Sequence, residues 1–192
     1  APIFDKAGAV SGILYAGGGT SAKLYRIPPD GEGKVLAELD ALEIHAIAID
    51  SKDRVYAATS PDGKVYRIAA NGKPEVFYDP KAKYIWALAF DHAGNLLVAT
   101  GSEGKIHRVD KQGKAQILFT SAETHITALA LDAAGNIYAG SAPSGILYRI
   151  DPAGKHPLDL GLVRVPQVPV GHVTKGRQFR AGSDAAEHLG RE

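Results

Sequence analysis

The chain has 192 residues, with 22 Lys+Arg against 21 Asp+Glu, 22 glycines, one tryptophan, no cysteine and no methionine. The missing cysteine excludes disulfides, Cys–zinc sites and a thiol nucleophile, and a net charge of +1 with both signs scattered gives no basic face for nucleic acid or an anionic membrane. An apolar share of 45% suits a packed domain, and no apolar run approaches the roughly 18 residues of a membrane span.

In chain order, the N-terminus Ala1-Pro2 carries no signal segment and no initiator residue. It suits a mature secreted chain or an excised piece of a longer one. The absence of cysteine is compatible with a secreted or periplasmic chain and also with a cytosolic one; it leaves the compartment open, with the first slightly favoured. The first predicted strand is Ile13-Leu14-Tyr15-Ala16. From there the sequence repeats with a period of 41: Arg26, Arg67, Arg108 and Arg149 share a phase, as do Tyr15, Tyr56, Leu97 and Tyr138. So do Asp50, Asp91 and Asp132, the alanines 46/87/128 and 48/89/130, and Gly31, Gly72, Gly113 and Gly154.

Each unit predicts four strands. In one unit they are Ile44–Asp50, Arg54–Thr59, Lys64–Ile68 and Pro74–Tyr78, all short, β-branched or aromatic and bounded by Gly, Asp, Asn or Pro. Asp91–Asn95 and Asp132–Asn136 supply turns with an Asx acceptor and a Gly suited to positive φ. No segment has a helical period. Four short antiparallel strands per unit predict an all-β fold, a β-propeller built from four-stranded blades. The alanine pairs on the inner strand predict that adjacent sheets approach closely there, with both faces covered.

Strand phases fall near 13–50, 54–91, 96–132 and 136–173, so 1–160 reads as propeller repeats. The next inner strand, expected at 167–173, has lost its Ala pair and carries Pro166 and Pro169, each removing a ladder donor. Residues 161–192 therefore read as a degenerate partial fifth repeat or a tail. Three closures are open: a fragment of a larger ring, a four-bladed ring closed by 164–173, or two chains completing one ring.

The pattern D-x-x-G-N-[IL]-[YL]-[AV] followed by G-x-[IL]-[YH]-R-[IV]-D-x-x-G-K, clearest in Asp91–Lys114 and Asp132–Lys155, resembles the superfamily of NHL repeats, streptogramin lyases and gluconolactonase/regucalcin-type enzymes. The resemblance spans about residues 12–160 and rests on turn and packing positions. It implies that fourth-to-first and second-to-third loops share a rim that holds the site. It carries over no catalytic residue.

On that rim, Glu43, Tyr84 and His125 share one phase, and His45, Trp86 and Thr127 stand two residues on. They vary where their neighbours are constant, and a repeat scaffold differentiates a ligand site at such positions. With Glu123 they make the ligand-binding candidates: imidazoles, carboxylates and an aromatic wall. The expected function is a non-enzymatic binding or sensing module for a small molecule, glycan or peptide, without a cofactor. The alternative is a metal-dependent hydrolase or lyase, with Glu43, His45, Glu123 and His125 meeting around a divalent cation on the axis. Ser60, Ser102, Ser141 and Ser144 sit in no nucleophile elbow, and Gly17-Gly18-Gly19 lacks the Lys-Ser/Thr and helix of a phosphate loop. The repeated Arg reads as structural, stacked on an aromatic or paired with a turn carboxylate such as Asp110 or Asp151.

Overall fold

A computed structural model describes residues 3–4, 10–29, 31–155 and 158–162. Every element among them is a strand. In order they are β1 (Ile3–Phe4), β2 (Val10–Ser11), β3 (Leu14–Gly17), β4 (Lys23–Ile27), β5 (Lys34–Glu38), β6 (Glu43–Ile49), β7 (Val55–Ser60), β8 (Gly63–Ile68), β9 (Pro74–Ala82) and β10 (Tyr84–Phe90). They continue as β11 (Leu96–Gly101), β12 (Lys105–Val109), β13 (Ala115–Thr120), β14 (His125–Leu131), β15 (Ile137–Ala142), β16 (Ile146–Ile150) and β17 (Leu158–Leu162).

These form antiparallel meanders: β3–β5 in three strands, then β6–β9, β10–β13 and β14–β17 in four each, with β1–β2 a separate pair. Each sheet begins on its inner strand, so a sequence phase such as 54–91 spans three strands of one sheet and the first of the next. The inner strands stop before Asp50, Asp91 and Asp132 because each aspartate belongs to the turn. Asp91 Oδ1 accepts the amides of Ala93 and Asn95, and its Oδ2 accepts the Asn95 side chain. Asp132 repeats all three bonds, and Asp50 takes the amides of Lys52 and Arg54. At Asp50 burial alone would raise the carboxyl pKa. The two amides and the Arg54 guanidinium outweigh it and hold the group below its ordinary value.

The 41-residue period is a packing rule. Tyr56, Ala58 and Val65 project from one face of the second sheet onto Ile85, Leu96, Val98 and Val109 of the third. Val55, Ala57, Tyr66 and Ile68 on the other face meet Leu24, Ala37 and Leu39 of the first. Leu97, Ala99 and Ile106 of the third sheet meet Ile126, Ile137, Ala139, Tyr148 and Ile150 of the fourth. Strands β7 and β11 are therefore buried on both faces, which is why they show no polar alternation. The expectation that inner-strand alanines lie covered is met in part in the second and third sheets, where Ala46, Ala48, Ala87 and Ala89 are half-buried, and fails in the fourth. Ala128 and Ala130 are exposed because no sheet packs on that face among the described residues. The expected strand at 167–173 and the remnant repeat beyond it lie outside the described residues, save that residues 161–162 belong to β17.

The repeated Arg is structural in the second and third sheets. Arg67 pairs with Glu75 and lies over the Phe77 ring at 5.1 Å. Arg108 stands 3.1 Å from Asp91 and donates to the Pro152 carbonyl. Asp110 and Asp151, offered from the sequence as its partners, instead accept turn amides: Gln112 and Lys114 for the first, Ala153 and Lys155 for the second.

Candidate functional site

The three complete inner strands share an irregularity. Pairing with the second strand slips between Ile44 and Ala46, between Ile85 and Ala87, and between Ile126 and Ala128. The extra residue in each bulge is His45, Trp86 or Thr127. A bulge frees a residue from the ladder and re-aims its side chain, so the variable column of the sequence is also the column released from pairing. One residue before each slip begins the strand on the same rim: Glu43 opposite Ser60, Tyr84 opposite Gly101, His125 opposite Ala142.

Trp86 is the hub. Tyr84 stacks on it with centroids 5.2 Å apart and planes at 19°. His45 meets it edge-on at 4.8 Å from the second sheet, and His125 lies at 6.0 Å from the fourth. The indole Nε1 donates to His125 Nδ1 at 3.2 Å, and the Ser102 amide donates to the same nitrogen at 3.4 Å. Both donors need the Nδ1 lone pair, so the neutral ring carries its proton on Nε2.

Gly101 makes this contact possible: a Cβ there would sit 2.4 Å from Trp86 Nε1 and 2.6 Å from His125 Nδ1. Its counterparts 41 residues away are Ser60 and Ala142, so glycine is required only where the indole and imidazole converge. Lys83 Nζ lies over the Tyr84 ring, 5.1 Å from its centroid.

The remaining candidates divide. Glu43 Oε1 lies 3.1 Å from His45 Nε2, off the line of a hydrogen bond; that nitrogen is shielded from solvent and has no hydrogen-bond partner. Glu123 is turned to structural use: its Oε2 accepts the Ser144 amide at 2.7 Å, and its backbone brackets the Ser121 hydroxyl. Thr127 donates to the Gly140 carbonyl at 3.3 Å. Tyr84, Trp86, His45 and His125 are thus brought together, with Glu43 attached through His45. Glu123 and Thr127 stand outside the cluster. Among the described residues no group of three or more His, Asp or Glu gathers closely enough to hold a metal ion.

No family model matches the chain, and no curated protein matches it. Solved structures do. A chain of a nidogen/laminin complex superposes with a TM-score of 0.68 at 18% identity, over 79% of this chain and 62% of that one. A protein assigned as a gluconolactonase gives 0.62 at 20%, over 85% and 62%. Virginiamycin B lyase from Staphylococcus aureus gives 0.67 at 16%, over 86% and 55%. The chain therefore spans 55 to 62% of the length of these structures. One of them is part of a protein–protein complex and two carry enzyme names, so at these identities the likeness carries architecture alone: this chain folds as stacked blades of a β-propeller.

Proposed function

We propose that the protein is a non-enzymatic binding module that takes its ligand, a small molecule, glycan or peptide, on the rim across the second to fourth sheets. The observation that supports this is the ring cluster His45–Trp86–Tyr84–His125, three of whose members come from different blades. The indole N–H and His125 Nδ1 are already engaged with each other. What remains for a ligand is aromatic face, the His125 Nε2–H and the Glu43 carboxylate. Stacking against rings, with a few fixed polar contacts at the edge, is recognition chemistry for a sugar ring or a flat side chain.

Trp86 is the sole tryptophan, so its fluorescence reports this site alone. Glycan and peptide arrays select ligands. Titration of a selected ligand is then expected to change the Trp86 emission saturably, and Glu43→Gln or His125→Ala to weaken binding. If no selected ligand changes Trp86 emission, the rim assignment is overturned. Turnover of that ligand, lost with a chelator and restored by a divalent cation, would replace the binding reading with the hydrolase or lyase one.

The register supports one partner as well. Among the described residues no sheet covers the outer face of the fourth sheet, which carries Ala128, Ala130, Tyr138, Gly140 and Leu147, in phase with the residues that cover the third and fourth sheets at the internal junctions. Among the described residues no other blade packs on the outer face of the first sheet, which carries Leu14, Ala16, Tyr25 and Ile27, in phase with Val55, Ala57, Tyr66 and Ile68. The two faces are thus complementary, and a second copy is the occupant proposed, in a head-to-tail contact. Light scattering is expected to show association, and Ala130→Glu to abolish it. A strictly monomeric parent chain overturns this part.

A further inference from the structure

The repeat makes the junctions between sheets comparable residue by residue, and the first differs from the second in what fills it. Between the second and third sheets, Tyr56 sits between two rings, Phe77 at 5.1 Å and Phe90 at 5.2 Å, both edge-on. Arg67 covers Phe77 and pairs with Glu75. Forty-one residues earlier, between the first and second sheets, Tyr15 and Arg26 are retained. The two rings are replaced by Leu36 and Ile49, and the carboxylate by Lys34.

The structure shows both consequences. A cleft of about 630 Å³ opens at the end of the sheets opposite the rim, lined by Tyr15, Leu36, Val55 and Ile68, with Arg26 and Lys34 at its edge. Arg26 and Lys34 face each other directly across β4 and β5. Two like charges opposed on a sheet repel, where the next blade has an attractive pair. Among the described residues neither cation has an ion-pair partner, whereas Arg67 has Glu75 and Arg108 has Asp91. Glu32 and Asp53 also border the cleft without pairing to either cation.

We propose that this cleft is a second ligand site, distinct from the rim, for a small aromatic carboxylate. Its ring occupies the space that Phe77 fills one blade on, against Tyr15 and Leu36. Its carboxylate replaces Glu75 and relieves the repulsion between Arg26 and Lys34. A planar anion suits a guanidinium, which offers paired donors to both oxygens. Apolar walls with a few charged groups at the mouth are the ordinary make-up of such a site.

The test uses 4-phenylbutyrate as the probe and amide NMR shifts as the readout, with 4-phenylbutanamide and butyrate as controls. Saturable shifts are expected at residues 15, 26, 34–36, 55 and 68–70, with the Trp86 indole signal unmoved. The uncharged amide and the ringless butyrate are expected to bind about tenfold more weakly or worse. Two variants rebuild the filled junction inside this one, and both are expected to fold at least as stably as the parent: Lys34→Glu supplies the missing carboxylate and Leu36→Phe the missing ring. Each is expected to weaken binding about tenfold or more by occupying the ligand's place. No saturable shift at millimolar probe overturns the proposal, as do shifts centred on Trp86, equal binding of the neutral amide, or unchanged affinity in both variants.

Discussion

The rim cluster depends on a residue with no side chain, and that dependence can be measured. In Gly101→Ala the new methyl would sit 2.4 Å from Trp86 Nε1 and 2.6 Å from His125 Nδ1, about 1 Å inside the 3.4 Å at which ordinary contact begins. The Trp86–His125 hydrogen bond cannot survive in place. Its loss costs about 1 kcal/mol, and inserting a methyl into a packed position costs about 1–3 kcal/mol. The rim is partly open, so the indole can swing outward and relieve much of the clash, which puts the net loss near 2 kcal/mol. For a chain of this length that lowers Tm by roughly 4–8 °C.

The control is built into the repeat. Gly19 occupies the same phase in the first sheet, and a Cβ there meets nothing within 4 Å, so Gly19→Ala is expected to leave Tm unchanged. Thermal melts followed by circular dichroism give the stability, and the emission of the single tryptophan gives the site. Gly101→Ala is expected to lower Tm and shift the emission; Gly19→Ala is expected to do neither. If Gly101→Ala melts with the parent and its emission is unchanged, the indole–imidazole contact is absent and the candidate site with it.

His107 gives a pH prediction. It is buried at a position that is Tyr in the other three repeats, and its Nδ1 meets the Tyr78 hydroxyl at 2.9 Å. Burial pulls its pKa below the ordinary 6.5; Lys105 adds to the shift and Glu103 opposes it. The unfolded chain therefore takes up the proton first. The stability held by the neutral ring is complete above about pH 6.5 and is lost as pH falls through the lower folded value. Tm is expected to drop between pH 7 and 5, and the drop to shrink in His107→Gln; an identical profile in the variant refutes the assignment. The Asx turns give another. Asp91→Ala removes three turn hydrogen bonds and the carboxylate beside Arg108, which at a part-exposed site costs about 2 kcal/mol. Chemical denaturation should show it, and a loss under about 0.5 kcal/mol would mean that the turn holds its shape without the carboxylate.

The fold was legible because each junction is built from the same side chains every 41 residues. Tyr56, Ala58 and Val65 recur in phase as Leu97, Ala99 and Ile106, and they recur because they pack on equivalent neighbours. The turn aspartates were legible for the same reason: the amides they accept are local. The rim was legible only as variation. The columns of residues 43 and 45 differed between repeats, but nothing in the sequence placed a bulge under His45 and Trp86, because a slipped register is a property of two strands. Glu123 stands apart for a similar reason: its carboxylate accepts the amide of Ser144, 21 residues on in another loop. The cleft at the first junction is the sharper case. Leu for Phe at 36, Ile for Phe at 49 and Lys for Glu at 34 are each an unremarkable exchange between repeats. They acquire meaning only when the cross-strand pairs Arg26–Lys34 and Arg67–Glu75 put the exchanged charge and the exchanged rings beside one Arg. The second-to-third junction, with its rings and carboxylate in place, then acts as an internal reference for the first. In a repeat protein, a position is informative when it departs from its phase together with its spatial neighbours.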